Sequence, residues 1–118
     1  GRASVGFHLQ HLTGVLDRML SYAKKENLSD LQFEYLKKEG VENSNISSLQ
    51  LTQNFDNKVA EALDYFKNLD VNSLTEERFV GRKKMPSTHL GLLFHAAEHS
   101  QRHIGQMLVT ISVLKEQQ

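Results

Sequence analysis

Apolar residues recur every three to four positions through most of this chain, and nowhere do they alternate as in a strand. The first stretch places Phe7, Leu9, Leu12, Val15, Leu16, Met19, Leu20 and Ala23 on one stripe. That spacing predicts a long helix starting at Ser4, whose hydroxyl suits an N-cap, and ending around Lys24–Asn27, where Asn27 can terminate it. A short helix is predicted from Ser29 to Glu39, capped by Ser29 and Asp30 and stopped by Gly40. Val41 to Ser48, rich in Asn and Ser, reads as a loop. A third helix, from Leu49 or Thr52 to Leu69, carries Phe55, Val59, Ala62, Leu63, Phe66 and Leu69.

Residues 70–87 read as a connector, with one helical turn over Ser73–Glu77 and breakers at Gly81 and Pro86. A last helix runs from Ser87 or Thr88 to the C-terminus, with an apolar stripe of Leu90, Leu93, Phe94, Ala97, Ile104, Met107, Leu108, Ile111 and Leu114. Three long amphipathic helices and one short helix predict an all-α bundle in a single domain over 1–118.

Composition narrows the chemistry. The chain has 118 residues, no cysteine, and as many acidic as basic side chains, for a formal net charge of zero. Disulfides, thiolate catalysis and Cys-ligated zinc are excluded. The balanced charge predicts no nucleic-acid partner, and the absence of a long apolar run predicts no membrane span and a cytoplasmic location. Arg82-Lys83-Lys84 reads as a solvated loop, Met19, Met85 and Met107 as core or loop fillers. The chain opens at Gly1-Arg2-Ala3 without an initiator methionine, as expected of a fragment or a processed product.

What remains is histidine. His95, His99 and His103 stand one helical turn apart on the last helix, and His8 and His11 lie on the first. Two imidazoles at i and i+4 on a rigid helix can share one metal ion, with a third ligand from elsewhere. With Ala97 at the centre of the stripe, a step of about 100° per residue brings His99 and His103 to its shoulder and leaves His95 outermost. On the first helix the same counting favours His8 slightly over His11. His89 reads as a surface residue at a helix start. Glu98 reads as a surface carboxylate, and so does Asp17. Arg18 and Gln106 are candidates to support the site, and Gly105 can admit a neighbouring helix.

Three segments together resemble the DinB-like superfamily: Gly6-Phe-His-Leu-Gln-His11-Leu12, Val80-Gly81-Arg82 with Met85-Pro86, and Glu98-His-Ser-Gln-Arg-His103-Ile-Gly-Gln106. The order and spacing of these blocks match over essentially the whole chain. The resemblance implies a four-helix bundle and a divalent metal held by His11, His99 and His103, choosing His11 where angle counting leans to His8. Zinc or nickel suits such ligands, with iron or manganese as further options. It implies a metal-dependent enzyme acting on a small-molecule substrate. The form expected is an S-transferase that uses a low-molecular-weight thiol in detoxification or stress response. A metal-dependent hydrolase, and a metal-free helical oligomerisation module, are the alternatives. Members of the superfamily usually carry one more helix before the His-Leu block. The resemblance therefore implies an N-terminally truncated bundle, with an exposed apolar groove or a homodimer that covers it.

Overall fold

The computed structural model describes residues 3–118. Four helices dominate: α1 (Val5–Ala23), α2 (Asp30–Lys38), α3 (Ser48–Lys67) and α4 (His89–Glu116). A 3₁₀ turn at Val71–Ser73 and a small antiparallel hairpin, β1 (Glu77–Val80) with β2 (Met85–Thr88), lie between α3 and α4. The mostly helical architecture agrees with the periodicity. The hairpin does not, and the helical turn expected at 73–77 lies at 71–73 instead.

Side-chain caps set the helix starts. Ser4 accepts from Phe7 N–H at 3.0 Å, and Ser29 forms a reciprocal capping box with Gln32. Ser47 accepts from Gln50 N–H, so α3 begins a residue or more earlier than its apolar stripe suggests. Thr88 caps α4. At the far end of α1 the terminator is Lys25, in the left-handed region at φ 61°, rather than Asn27. Glu26 N–H reaches Ser21 C=O and Lys25 N–H reaches Tyr22 C=O, the paired bonds that close a helix around a left-handed residue.

α1 is the central element and packs against α4, α3 and α2. Leu16 and Leu20 of α1 meet Ala62 of α3 and Ala96 of α4 in the buried core, with Met19, Phe55, Val59 and Phe66 packed around them. Asp17 is not a plain surface residue. It accepts from Lys58 Nζ of α3 at 2.8 Å and from Gln32 Nε2 of α2 at 2.9 Å, and so links three helices.

The hairpin turns on Gly81, at φ 74°, with Lys84 N–H returning to Gly81 C=O. It is held to α1 by the buried Arg78, whose Nε donates to Ala23 C=O at 2.7 Å and so satisfies a carbonyl at the helix end. Arg82 of the basic turn lies over the Phe33 ring, and its neighbours are exposed.

Tyr65 of α3 and Ser73 of the 3₁₀ turn enclose His89, which is 2% exposed and not a surface residue. Its Nε2 meets Tyr65 Oη at 2.6 Å and its Nδ1 meets Ser73 Oγ at 2.9 Å, tying the end of α3 and the turn to the start of α4. Removing the ring leaves both hydroxyls without this partner. His89→Ala should therefore lose about 1–3 kcal/mol of stability, read from the urea midpoint.

α4 is rotated from the orientation that an Ala97-centred stripe implies. Its buried residues are His89, Leu92 and Ala96, whereas Ala97 is exposed. Leu90, Phe94, Leu108 and Leu114, expected to be buried, are 49–73% exposed. Leu63 of α3 is likewise exposed. α4 thus has two apolar faces, one against α1 and one uncovered within the described chain. The molecule is accordingly elongated, 52 × 26 × 24 Å.

Candidate metal centre

The rotation of α4 that buries Ala96 also turns His99 and His103 towards α1, because residues 92, 96, 99 and 103 follow one helical face. α1 and α4 run antiparallel, so His8 comes opposite His103 and His11 opposite His99. Ring nitrogens of His11, His99 and His103 lie within 4.8 Å of one another, and this cluster could hold a metal ion. All three rings are half-buried. His8, though buried, stands beside the cluster, with its Nδ1 3.0 Å from Nδ1 of His103. His95 stacks on His99 at 5.5 Å from the outer, exposed side.

Each ring is oriented by a neighbour. Nδ1 of His11 lies 2.8 Å from Oε2 of Glu39, the residue that ends α2. An ionised carboxylate only accepts, so that nitrogen carries a hydrogen, and in the neutral ring Nε2 presents its lone pair. Nε2 faces Nε2 of His99 at 3.1 Å. Arg102 donates to Nδ1 of His99 at 3.2 Å, so in this arrangement the hydrogen of His99 sits on Nε2 and bridges to His11. For His99 to offer Nε2 to an ion, its hydrogen would have to move to Nδ1 and the contact with Arg102 would have to open. The donor set thus fits an imidazole-bound divalent ion at the expense of one ring tautomer and one exposed contact. Phe7 stacks on His11 at 5.0 Å and covers the ring.

Burial favours the neutral form at His103, His99 and His8. Burial lowers the pKa of His103 to about 4, helped by the charges that His11, His99, His8 and Arg102 can carry nearby. His99 is lowered by burial first, then by His11 and Arg102. His8 is lowered by burial and by His11. Neutral imidazole is the form that binds metal.

Of the supporting candidates, Arg18 is buried and pairs with Glu39, through Nη1 to Oε1 at 2.6 Å, so it touches the site only through that carboxylate. Gln106 is exposed and shares with His8, Ala3, Val109 and Thr110 the lining of a cavity of about 410 Å³. Glu98 is half-exposed and paired with Arg102, as expected of a surface carboxylate. A larger cavity, about 740 Å³, lies at the hairpin between Tyr22 and Phe79, with no histidine in its wall.

Glu39 is not legible in the sequence as a site residue, since there it is only the last residue of a helix. One local signal exists in Gly14, on the His11 face of α1, where a side chain would otherwise fill the space. A Cβ there would collide with the Glu39 carboxylate.

No helix among the described residues is long and apolar enough to cross a membrane. No family model, curated protein or solved structure matches the chain.

Proposed function

We propose that the chain is a divalent-metal protein of the DinB-like type, with His11, His99 and His103 as ligands and zinc or nickel as the ion. The carrying observation is the convergence of three ring nitrogens within 4.8 Å from two antiparallel helices. The lowered pKa values of His99 and His103, and the Glu39 carboxylate that orients His11, support it. Three protein ligands leave coordination positions for water or a substrate, unlike a closed structural site. The uncovered apolar face of α4 supports completion of a four-helix bundle by a further helix or by a second copy of the chain.

The reaction we assign is S-transfer from a low-molecular-weight thiol to a small electrophile. The thiol gives up its proton to water, the sulfur forms a bond to an electrophilic carbon, and the leaving group departs with its electron pair. The ion, when bound, supplies a Lewis acid that stabilises the thiolate at neutral pH. The protein's own contribution is placement. His8 braces His103, Phe7 shields His11, and the cavity by His8 and Gln106 offers a mixed wall of amide, hydroxyl and Val109 side chain to the thiol's body. Hydrolysis would call for a carboxylate base, and both Glu39 and Glu98 are engaged, Glu39 by Arg18 and His11, Glu98 by Arg102.

A metal-free helical module is the second reading. It is favoured by the hydrogen bonds that the rings already make to Glu39 and to one another. Elemental analysis of protein purified without a nickel column separates the two. The metal reading expects about one equivalent per chain, lost in His99→Ala. Less than about a tenth of an equivalent, unchanged by that substitution, would leave the module reading in its place. Conjugation of a thiol to a panel of electrophiles by metal-loaded protein then tests the transferase assignment.

A further inference from the structure

We propose that Glu39 is the positioning residue of the metal site: it fixes the His11 ring, with Nε2 as the donor atom, and sets the affinity for the ion. The inference rests on the reading of His11 as a ligand and adds a residue from a third helix to it.

His11, Gly14 and Arg18 stand at i, i+3 and i+7, one face of α1. The Glu39 carboxylate lies over Gly14 between the two side chains, in space that a methyl group would occupy. Arg18 takes Oε1 at 2.6 Å and Oε2 more loosely at 3.5 Å, leaving Oε2 for His11 at 2.8 Å. The carboxylate is 3% exposed, so water does not compete for it. Its backbone is held as well. With the Gln10 amide nitrogen turned towards α2, it donates to Glu39 C=O at 2.8 Å and to Lys38 C=O at 3.2 Å, while Tyr35 Oη donates back to Gln10 C=O.

The effect on the ring is twofold. In the neutral ring its hydrogen is confined to Nδ1, since the carboxylate accepts there, and the Nε2 lone pair faces His99, where it accepts the His99 hydrogen. A negative charge hydrogen-bonded behind an imidazole also makes the opposite nitrogen a stronger donor. Partners of this kind typically account for about 10–100-fold in metal affinity. Arg18 acts on the carboxylate rather than on the ring, supplying a fixed countercharge to a buried group.

Two measurements test this. In the chelator-treated wild-type protein, ¹⁵N NMR of the histidine rings should show His11 with its hydrogen on Nδ1. A hydrogen on Nε2 would overturn the inference, with no variant required. In zinc titrations against a competing chelator, the paired variant Glu39→Gln with Arg18→Met removes both buried charges and leaves neither unpaired. Its affinity for zinc should fall about 10–100-fold below wild type. Equal affinity in a folded paired variant also refutes the inference. If the paired variant does not fold, the ring spectrum decides. Wild-type protein that takes up no zinc refutes the ligand reading instead, while the ring spectrum still reports on Glu39.

Discussion

Arg18→Ala should destabilise the protein by about 3–5 kcal/mol, the range seen when one partner of a buried ion pair is removed. The side chains of Arg18 and Glu39 are only 9% and 3% exposed. Alanine leaves the carboxylate without a countercharge in a space that water does not reach. The unfolding midpoint in urea measures the loss. Arg102 and Glu98 form the internal control, with similar geometry at 2.9 Å but side chains 50% and 48% exposed. Arg102→Ala should change stability by less than about 1 kcal/mol. A loss at Arg18 no larger than that at Arg102 would mean that the α1–α2 contact is solvated in solution.

Acid should unfold the metal-free protein progressively as pH falls from about 6.5 towards 4. Four histidines, His8, His89, His99 and His103, have pKa values lowered in the fold, each by burial first. For His103 the folded value is about 4. Between that value and the ordinary 6.5, the unfolded chain takes up a proton that the folded chain refuses. Stability therefore falls with falling pH across this window and is insensitive to these groups above it. The four shifts share one sign and reinforce one another. Urea midpoints at about pH 7, 5.5 and 4.5 should descend in that order, and a midpoint that is flat or rises would contradict the burial of these rings. Bound metal resists the same change, because protons and metal compete for the ring nitrogens.

Much of this fold is written locally. In α1, six of the eight stripe positions are buried, among them Leu12, Leu16 and Leu20, because a central helix has to place one continuous apolar face against its neighbours. The serine caps are also local, each needing only its own hydroxyl and an amide three residues on. The hairpin is different. Glu-Arg-Phe-Val and Met-Pro-Ser-Thr carry no alternating pattern, and Arg78 anchors the pair to the end of α1, fifty-five residues away in sequence. The burial of His89 is hidden for the same reason, since it comes from Tyr65 and Ser73 rather than from the residue's place on α4.

On α4 itself, periodicity does not choose between two apolar faces offset by about one residue's rotation. The one centred on Ala96 packs against α1, and the one centred near Ala97 faces out. Spacing alone locates the histidine pair on its helix. It does not decide between His8 and His11, because both flank the α1 stripe. That choice turns on the antiparallel register with α4, which sets His8 against His103 and brings His11 between His99 and His103. Glu39 needs the tertiary structure altogether.

That register has a topological consequence. His11 and His99 are 88 residues apart in sequence. An ion bridging them would close a loop spanning three-quarters of the chain, in a protein with no cysteine to do so. By the chain-entropy argument such a closure withdraws about 4–5 kcal/mol of conformational freedom from the unfolded ensemble. The ion would then act as a reversible staple between α1 and α4, set or released by the metal supply rather than by redox potential.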